Sequence, residues 1–198
     1  MIKRYIQKKK IRLISIMGIE TGVGNTHLSI MTANYLANVL GIKVALIEYN
    51  DSNDFMKIRM ETGAVSEKIK AFYYHNMFFY KAGSFSELAK IFAMDYEIIV
   101  IDMHYLYDGC IEEFLCSDVR VVTSSVNTWK QRELKKFLYN NKDIAVDAYK
   151  CVAFSYNEES LEAVEKNFGC NIIKVPFEPD PLYISPDSIM WLEKLLFS

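Results

Sequence analysis

The chain of 198 residues has no apolar run that approaches the roughly 18–20 residues of a membrane-spanning helix. The apolar stretch near its start, residues 11–18, is too short for a signal-peptide core and carries Arg12. Transmembrane and secreted classes of protein are therefore disfavoured, and we expect a cytoplasmic protein.

Cysteine and histidine are too few and too scattered for a zinc site. The three histidines are accompanied by four cysteines, none of them in a C-x-x-C pair: Cys110, Cys116, Cys151 and Cys170. A structural zinc site needs a tighter cluster of these ligands. Buried, reduced thiols in a cytoplasmic protein are the expected state of these side chains.

The chain also lacks an excess of charge of either sign, with 23 Lys+Arg against 25 Asp+Glu. Overall charge therefore predicts no nucleic-acid partner. The distribution is uneven, because six bases fall in the first twelve residues and no acid precedes Glu20. Residues 1–10 form a basic arm that can touch an anionic surface. We favour the simpler interpretation, a solubilising segment that leads into a buried strand.

Apolar runs rich in β-branched residues alternate with helical patterns along the chain. Strands are predicted at residues 11–17, 43–49, 97–103, 119–123, 149–155 and 171–175, and helices at 26–40, 84–94, 109–116, 128–142, 157–168 and 186–198. Most of these strands are continuously hydrophobic, which is typical of strands buried on both faces of a parallel sheet. The pattern predicts an α/β fold, a three-layer αβα sandwich around a mostly parallel sheet, as a single domain over residues 1–198.

Local signals predict several helix ends. Gly169 is expected to stop a helix, and Pro186 to open the last one. Capping boxes are predicted at Ser84–Glu87 and at Thr128–Gln131. The last helix, residues 186–198, is apolar on most sides and has little basic charge, so docking on the domain is favoured over membrane contact.

An aromatic run lies in the middle of the chain, with six aromatic side chains in residues 72–80. The surrounding segment, residues 69–81, is predicted to be extended. Partial burial in the sheet and core is the favoured interpretation, and a dimer or partner contact is the alternative. The run lacks the interleaved bases that accompany stacking on single-stranded nucleic acid.

The most informative segment joins the first strand to the first helix and reads M-G-I-E-T-G-V-G-N-T-H-L-S over residues 17–29. Glycines in such a loop let backbone N–H groups approach an anion, and the N-terminus of the following helix adds the positive end of its dipole. Strand, glycine loop and helix in this order are the context of a phosphate-binding P-loop.

This segment resembles the deviant Walker A loop of the ParA/MinD family of SIMIBI-class P-loop ATPases, whose pattern is K-G-G-x-G-K-[ST], and Glu20–Thr26 fits that register. The resemblance continues in order along most of the chain, through segments similar to the family's later strands and loops: G-I-K-V-A-L-I-E-Y-N-D, Y-E-I-I-V-I-D-M-H (the Walker B strand), C-S-D-V-R-V-V-T-S-S and V-P-F-E-P-D-P. The loop looks nearest to the CpaE/TadZ branch, which is linked to pilus assembly and polar placement. The resemblance implies a P-loop NTPase fold.

The loop departs from the family pattern at the positions that carry charge. The family has lysines at the positions of Glu20 and Asn25. Phosphoryl transfer depends on neutralising developing charge, so a slow ATPase is the most that this loop implies. Two unit charges about 4 Å apart interact by roughly 4 kcal/mol at an effective dielectric near 20. Glu20 should therefore repel a triphosphate unless it is paired or points away.

The resemblance implies a set of nucleotide contacts in the loop and after a late strand: Gly22, Val23, Gly24, Asn25, Thr26, His27 and Asn157. Thr26 and Asp102 are implied to hold Mg²⁺. The candidate catalytic residues are Asp102 and Glu48, the latter near the metal or the attacking water. Lys130 and Arg132 are candidate substitutes for the missing cations, although ordinary surface charges are the favoured interpretation of both.

The resemblance further implies ATP and Mg²⁺ as cofactors, a homodimer, and a protein partner in a larger assembly. We therefore expect a nucleotide-binding or weakly hydrolysing switch that positions or assembles such a complex. Two alternatives are a nucleotide-free scaffold of the same fold and an ATP-dependent ligase or kinase of the same superfamily. The ligase or kinase is the least favoured, because such enzymes usually need an intact phosphate lysine and a further substrate pocket.

Overall fold

The computed structural model describes residues 12–64, 71–103, 111–141, 148–155 and 158–198. Eight strands of this part form one sheet: β1 (Leu13–Gly18), β2 (Val44–Tyr49), β3 (Ala71–Tyr74), β4 (Met77–Lys81), β5 (Ile98–Met103), β6 (Val119–Ser124), β7 (Lys150–Ala153) and β8 (Ile172–Lys174). Their order is β3-β4-β2-β5-β1-β6-β7-β8. Every neighbouring pair is parallel except β3–β4. The predicted mostly parallel sheet is confirmed.

Seven α-helices occur in the described ranges: α1 (Asn25–Asn34), α2 (Asp54–Thr62), α3 (Phe85–Phe92), α4 (Ile111–Leu115), α5 (Gln131–Asn140), α6 (Glu158–Phe168) and α7 (Pro186–Phe197). A π-helical segment, Tyr35–Val39, continues α1, and a short 3-10 helix, Thr128–Lys130, precedes α5. Strands and helices alternate as the sequence predicts, which confirms the α/β class.

The two faces of the sheet bury separate cores, because successive side chains of a strand point to opposite faces. In β5, Ile98 and Val100 belong to one core, and Ile99 and Ile101 belong to the other. Side chains of α1 and α7 complete the first core, whereas α3, α5 and α6 contribute to the second. Helices on both faces form the three predicted layers and explain why the central strands are apolar at nearly every position.

The aromatic run forms the β3–β4 hairpin. The two residues of its turn, His75 and Asn76, both have positive φ (50° and 60°), as a type I′ turn requires. Phe72 and Phe79 are buried and stack with ring centroids 4.7 Å apart, whereas Tyr73 is half exposed. The predicted extended conformation and partial burial are confirmed from residue 71 onwards, and the partner contact stays a prediction.

The predictions of helix ends have mixed outcomes. The Ser84–Glu87 cap is confirmed, since the serine side chain accepts a hydrogen bond from the glutamate amide. The capping box at Thr128–Gln131 is wrong, because Thr128 begins a 3-10 turn and no side chain caps that turn or α5. Sequence patterns also missed α2, which buries only Phe55 and so has almost no apolar periodicity.

The last helix, α7, docks on the domain as predicted. Its residues Leu192, Leu195 and Leu196 are buried in the first core. Lys150 holds its end, with Nζ 2.6 Å from the Leu195 carbonyl oxygen and 3.1 Å from Ser198 Oγ. No helix among the described residues is long and apolar enough to cross a membrane.

Candidate functional site

The loop between β1 and α1, residues 19–24, lies at the carboxyl edge of the sheet, where β1 runs between β5 and β6. Ile19 N donates to the Thr123 carbonyl of β6 at 3.0 Å, and Leu28 N donates to the Gly24 carbonyl at 2.9 Å. Gly22 and Gly24 have φ values of 72° and 89°. Because L side chains rarely adopt such values, the loop needs glycine at both positions.

Phe154, directly after β7, packs against this loop. A Cβ atom at Gly24 would lie 2.4 Å from the nearest ring carbon of Phe154, whereas one at Gly22 would meet nothing within 4 Å. The same ring lies edge-on to His27, with centroids 5.6 Å apart. Phe154 therefore supports both the loop and the first turn of α1. The sequence does not reveal this role, because a phenylalanine after a strand carries no sign of such a contact.

The first turn of α1 is open to an anion. The amides of Asn25, Thr26 and His27 have no acceptor within the helix. The N-cap residue, Gly24, has no side chain to cap them, and the first turn has no acidic residue. This turn and the loop line a cavity of about 310 Å³, whose lining comprises Glu20, Thr21, Gly22, Gly24, Asn25, Thr26, His27, Asn50, Ser52 and Asp54. Amides and a helix dipole directed at such a cavity are suited to binding phosphate.

Most of the predicted nucleotide contacts are thus brought together around one cavity. Val23 differs, because its side chain is buried in the second core and only its backbone can face an anion. Asn157 lies outside the described residues. Ser52 and Asp54 line the cavity but were not predicted, since the segment around them carries no recognisable motif.

Asp102, at the end of β5, is fully buried next to the first turn of α1. Its Oδ2 accepts a hydrogen bond from the Thr26 hydroxyl at 2.7 Å, and its Oδ1 accepts one from Asn25 Nδ2 at 2.8 Å. Burial raises the pKa of Asp102 to about 7, although the hydrogen bonds from Thr26 and Asn25 favour the charged form. Thr26 and Asp102 therefore meet, as the resemblance implies for a Mg²⁺ site.

A hydroxyl and a carboxylate are oxygen ligands of the kind that Mg²⁺ takes. Within the described ranges, no group of three or more His, Cys, Asp or Glu side chains could hold a metal ion. A magnesium ion between Thr26 and Asp102 would therefore need further oxygen ligands from phosphate and water, which is how Mg²⁺ is usually bound with nucleotides.

Asn25 stands where the resemblance implies a phosphate-contacting lysine. Its side-chain amide donates to Asp102 Oδ1 and, at 3.0 Å, to the Met103 carbonyl. Both protons of the amide are therefore used within the protein. Asn25 ties the first turn of α1 to the end of β5 and brings no charge to the cavity.

Glu48, the other candidate catalytic acid, is 1% exposed and has partners on both carboxylate oxygens. Oε1 accepts hydrogen bonds from the Ser52 hydroxyl at 2.9 Å and from the Asp54 amide at 2.7 Å. Oε2 lies 3.0 Å from Lys81 Nζ. The carboxylate therefore holds the start of α2, and the β2–β5 register places it beside Asp102. Its catalytic role stays a prediction.

Glu20 is paired, so the repulsion expected of an isolated carboxylate is offset. Its Oε1 lies 3.4 Å from Lys130 Nζ, which also lies within 3.3 Å of the Thr21 carbonyl and donates to it. The two charged side chains are 21% and 24% exposed. Arg132, the other candidate cation, is exposed. The sequence suggests Lys130 only as a candidate substitute for the missing cations, and it does not predict the pairing with Glu20.

His27 brings no full positive charge to the cavity. Burial lowers the pKa of His27, and this outweighs a hydrogen bond with the Glu178 backbone and the nearby charges of Asp180 and Glu178. The neutral imidazole is therefore the favoured form at neutral pH. The contact with Glu178 links α1 to the proline-containing loop V-P-F-E-P-D-P.

These features first define a class of protein. A glycine loop between a central parallel strand and a helix, with a hydroxyl in the first turn bonded to an acid on the neighbouring strand, is the arrangement of P-loop NTPases. No protein-family model and no curated protein matches the chain.

Solved structures identify the fold more closely. An ATP complex of a McdA variant from Cyanothece matches with a TM-score of 0.64 at 13% identity, over 94% of this chain and 96% of that chain. MinD from Aquifex aeolicus, which also has a structure in complex with MinC, matches with a TM-score of 0.61 at 18% identity, over 93% of this chain and 95% of that chain. A ParA-family ATPase from Chlorobium tepidum TLS matches with a TM-score of 0.57 at 13% identity, over 93% of this chain and 92% of that chain.

The chain therefore has the fold of the ParA/MinD ATPases, and the resemblance is confirmed at the level of fold. Identities this low carry no information about activity or branch. The nearness to the CpaE/TadZ branch stays a prediction.

Proposed function

We propose that this protein binds ATP with Mg²⁺ at the loop between β1 and α1 and acts as a dimerisation switch for a larger assembly. The observation that carries the proposal is the open first turn of α1 beside the Thr26–Asp102 pair. Backbone amides and the helix dipole attract phosphates without a side-chain cation. Thr26 and Asp102 would hold Mg²⁺, which would neutralise phosphate charge.

We propose that hydrolysis is slow at most. Asn25 is neutral and fully engaged, and no lysine or arginine of the described residues lines the cavity. Loss of one preorganised contact to developing charge commonly costs about 100-fold or more in rate. Glu48 would have to give up part of its contacts with Lys81 and α2 before it could orient water.

Calorimetric titration of ATP in the presence of Mg²⁺ tests binding. We expect micromolar affinity, and at least tenfold weaker binding by Thr26→Ala, because this change removes the hydroxyl at the Mg²⁺ position and leaves the loop backbone intact. Thr62→Ala is the matched control, since the Thr62 hydroxyl donates to the Ile58 carbonyl of its own helix at 2.7 Å and does not line the cavity. Absence of binding at millimolar ATP would overturn the proposal.

The nucleotide-free scaffold is the second candidate, and one observation favours it. Asn25 and Thr26 both donate to Asp102, so the polar groups behind the loop satisfy one another without a ligand. The two candidates differ in assembly: the switch dimerises only with ATP, whereas the scaffold has the same mass in both conditions. Light scattering after size-exclusion chromatography, with and without ATP, separates them.

A further inference from the structure

The cavity beside the loop has negative side chains in its lining, and no lysine or arginine of the described residues belongs to that lining. Glu20 and Asp54 are the two carboxylates. Asp54 is paired with a lysine that does not line the cavity, since its Oδ1 lies 2.6 Å from Lys57 Nζ. Glu20 lies in the loop itself, so its charge bears most directly on a phosphate bound there.

Lys130 contacts this loop from a different part of the chain. It ends the 3-10 turn that follows β6, and its Nζ reaches both Glu20 Oε1 and the Thr21 carbonyl. Glu20 Oε1 is buried and makes no hydrogen bond with any described residue. The Glu20–Lys130 contact is therefore held by charge rather than by hydrogen-bond geometry, and either charge can act on a third one nearby.

We propose that Glu20 and Lys130 form a compensating pair that sets the affinity of the loop for phosphate groups. This inference rests on the proposed binding of a phosphate ligand at the loop. With both charges present, attraction is left to the backbone amides and the dipole of α1. Removing Lys130 leaves a carboxylate facing the ligand, and removing Glu20 leaves an uncompensated ammonium at Thr21. The two changes shift affinity in opposite directions.

The test is a cycle of four proteins: the unchanged chain, Lys130→Met, Glu20→Gln and the double variant. Calorimetry gives dissociation constants for ATP with Mg²⁺ and for inorganic tripolyphosphate, at low and high salt. We expect Lys130→Met to weaken binding about fivefold and Glu20→Gln to tighten it about fivefold. The double variant should fall within about twofold of the unchanged chain, and all shifts should shrink at high salt.

The pair Glu133–Lys136 on α5 is a matched control, since its Oε2 and Nζ lie 4.0 Å apart and neither residue lines the cavity. Glu133→Gln and Lys136→Met should leave both dissociation constants unchanged. Lys130→Arg keeps the charge and should retain the original affinity. If Lys130→Met does not fold, the Glu20→Gln and Lys130→Arg proteins decide the question, and a Glu20→Gln protein without tighter binding overturns the pair.

The two ligands separate the pair from the nucleotide proposal. Equal ATP affinities in all four proteins would overturn the pair and leave ATP binding intact. The predicted shifts with tripolyphosphate, together with no binding of ATP, would support the pair and overturn the nucleotide proposal. Failure of both ligands to bind any of the four proteins would overturn both.

Discussion

Replacing Gly24 by alanine tests how closely Phe154 packs against the loop. With φ at 89°, alanine would occupy the left-handed region at a cost of about 1–2 kcal/mol. The new Cβ would also lie 2.4 Å from a ring carbon of Phe154, and overpacking of this kind costs about 1–3 kcal/mol. We expect the free energy of unfolding to fall by about 2–5 kcal/mol.

Gly22 is the matched control, because its φ is 72° but a Cβ atom there would meet nothing within 4 Å. Gly22→Ala should cost only the backbone contribution, about 1–2 kcal/mol. Adding Phe154→Ala to Gly24→Ala removes the clash. The loss in free energy of unfolding in the double variant should therefore be about 1–3 kcal/mol smaller than the sum of the losses in the two single variants. Urea unfolding followed by circular dichroism gives each free energy.

Two results would refute this reasoning. Equal losses for Gly22→Ala and Gly24→Ala would mean that the ring of Phe154 moves aside at no cost. Strict additivity of Gly24→Ala and Phe154→Ala would mean that the two groups do not press on each other, and that backbone strain alone explains the glycine.

Two further predictions concern buried ionisable side chains. Lys81→Met leaves the buried Glu48 carboxylate without its cation, so the free energy of unfolding should fall by about 3 kcal/mol. Adding Glu48→Gln to Lys81→Met should restore part of this loss. An unchanged urea midpoint for Lys81→Met would contradict the prediction. Burial raises the pKa of Cys151 to about 12, so only about one thiol in a thousand is ionised at pH 9. Iodoacetamide at pH 9 should label exposed Cys116 in the folded protein and Cys151 only in urea, as peptide mass spectrometry would show, and equal rates in the folded protein would argue against burial.

The parallel sheet could be predicted because its central strands are buried on both faces, which leaves a continuous apolar signal. Residues 97–103 show this signal most clearly, and β5 forms over Ile98–Met103 with Asp102 next to its last residue. The resemblance to the ParA/MinD family implied that the glycine loop lies next to Asp102, and loops after parallel strands do meet at one edge of the sheet. Local signals were therefore sufficient for the fold class and for the glycine loop, whereas the family resemblance supplied the acid beside the loop.

The partners of Glu20 and Glu48 could not be predicted, because they come from distant parts of the chain. Lys130 reaches the carbonyl of Thr21 across 109 positions of sequence. Glu48 pairs with Lys81 at the end of β4, a separate segment of the chain. In both cases the contact depends on how two segments pack, and neither segment alone carries a trace of it.

The hydrogen bonds of Asn25 have an evolutionary consequence. A change of Asn25 to lysine, which would recreate the charge of the family pattern, would also withdraw the amide that donates to Asp102 and to the Met103 carbonyl. The acceptors at the end of β5 would lose their donor in the same step. Asn25 and the end of β5 thus depend on each other, and a chain with lysine at position 25 would need other donors for Asp102 Oδ1 and the Met103 carbonyl before that lysine could reach a phosphate.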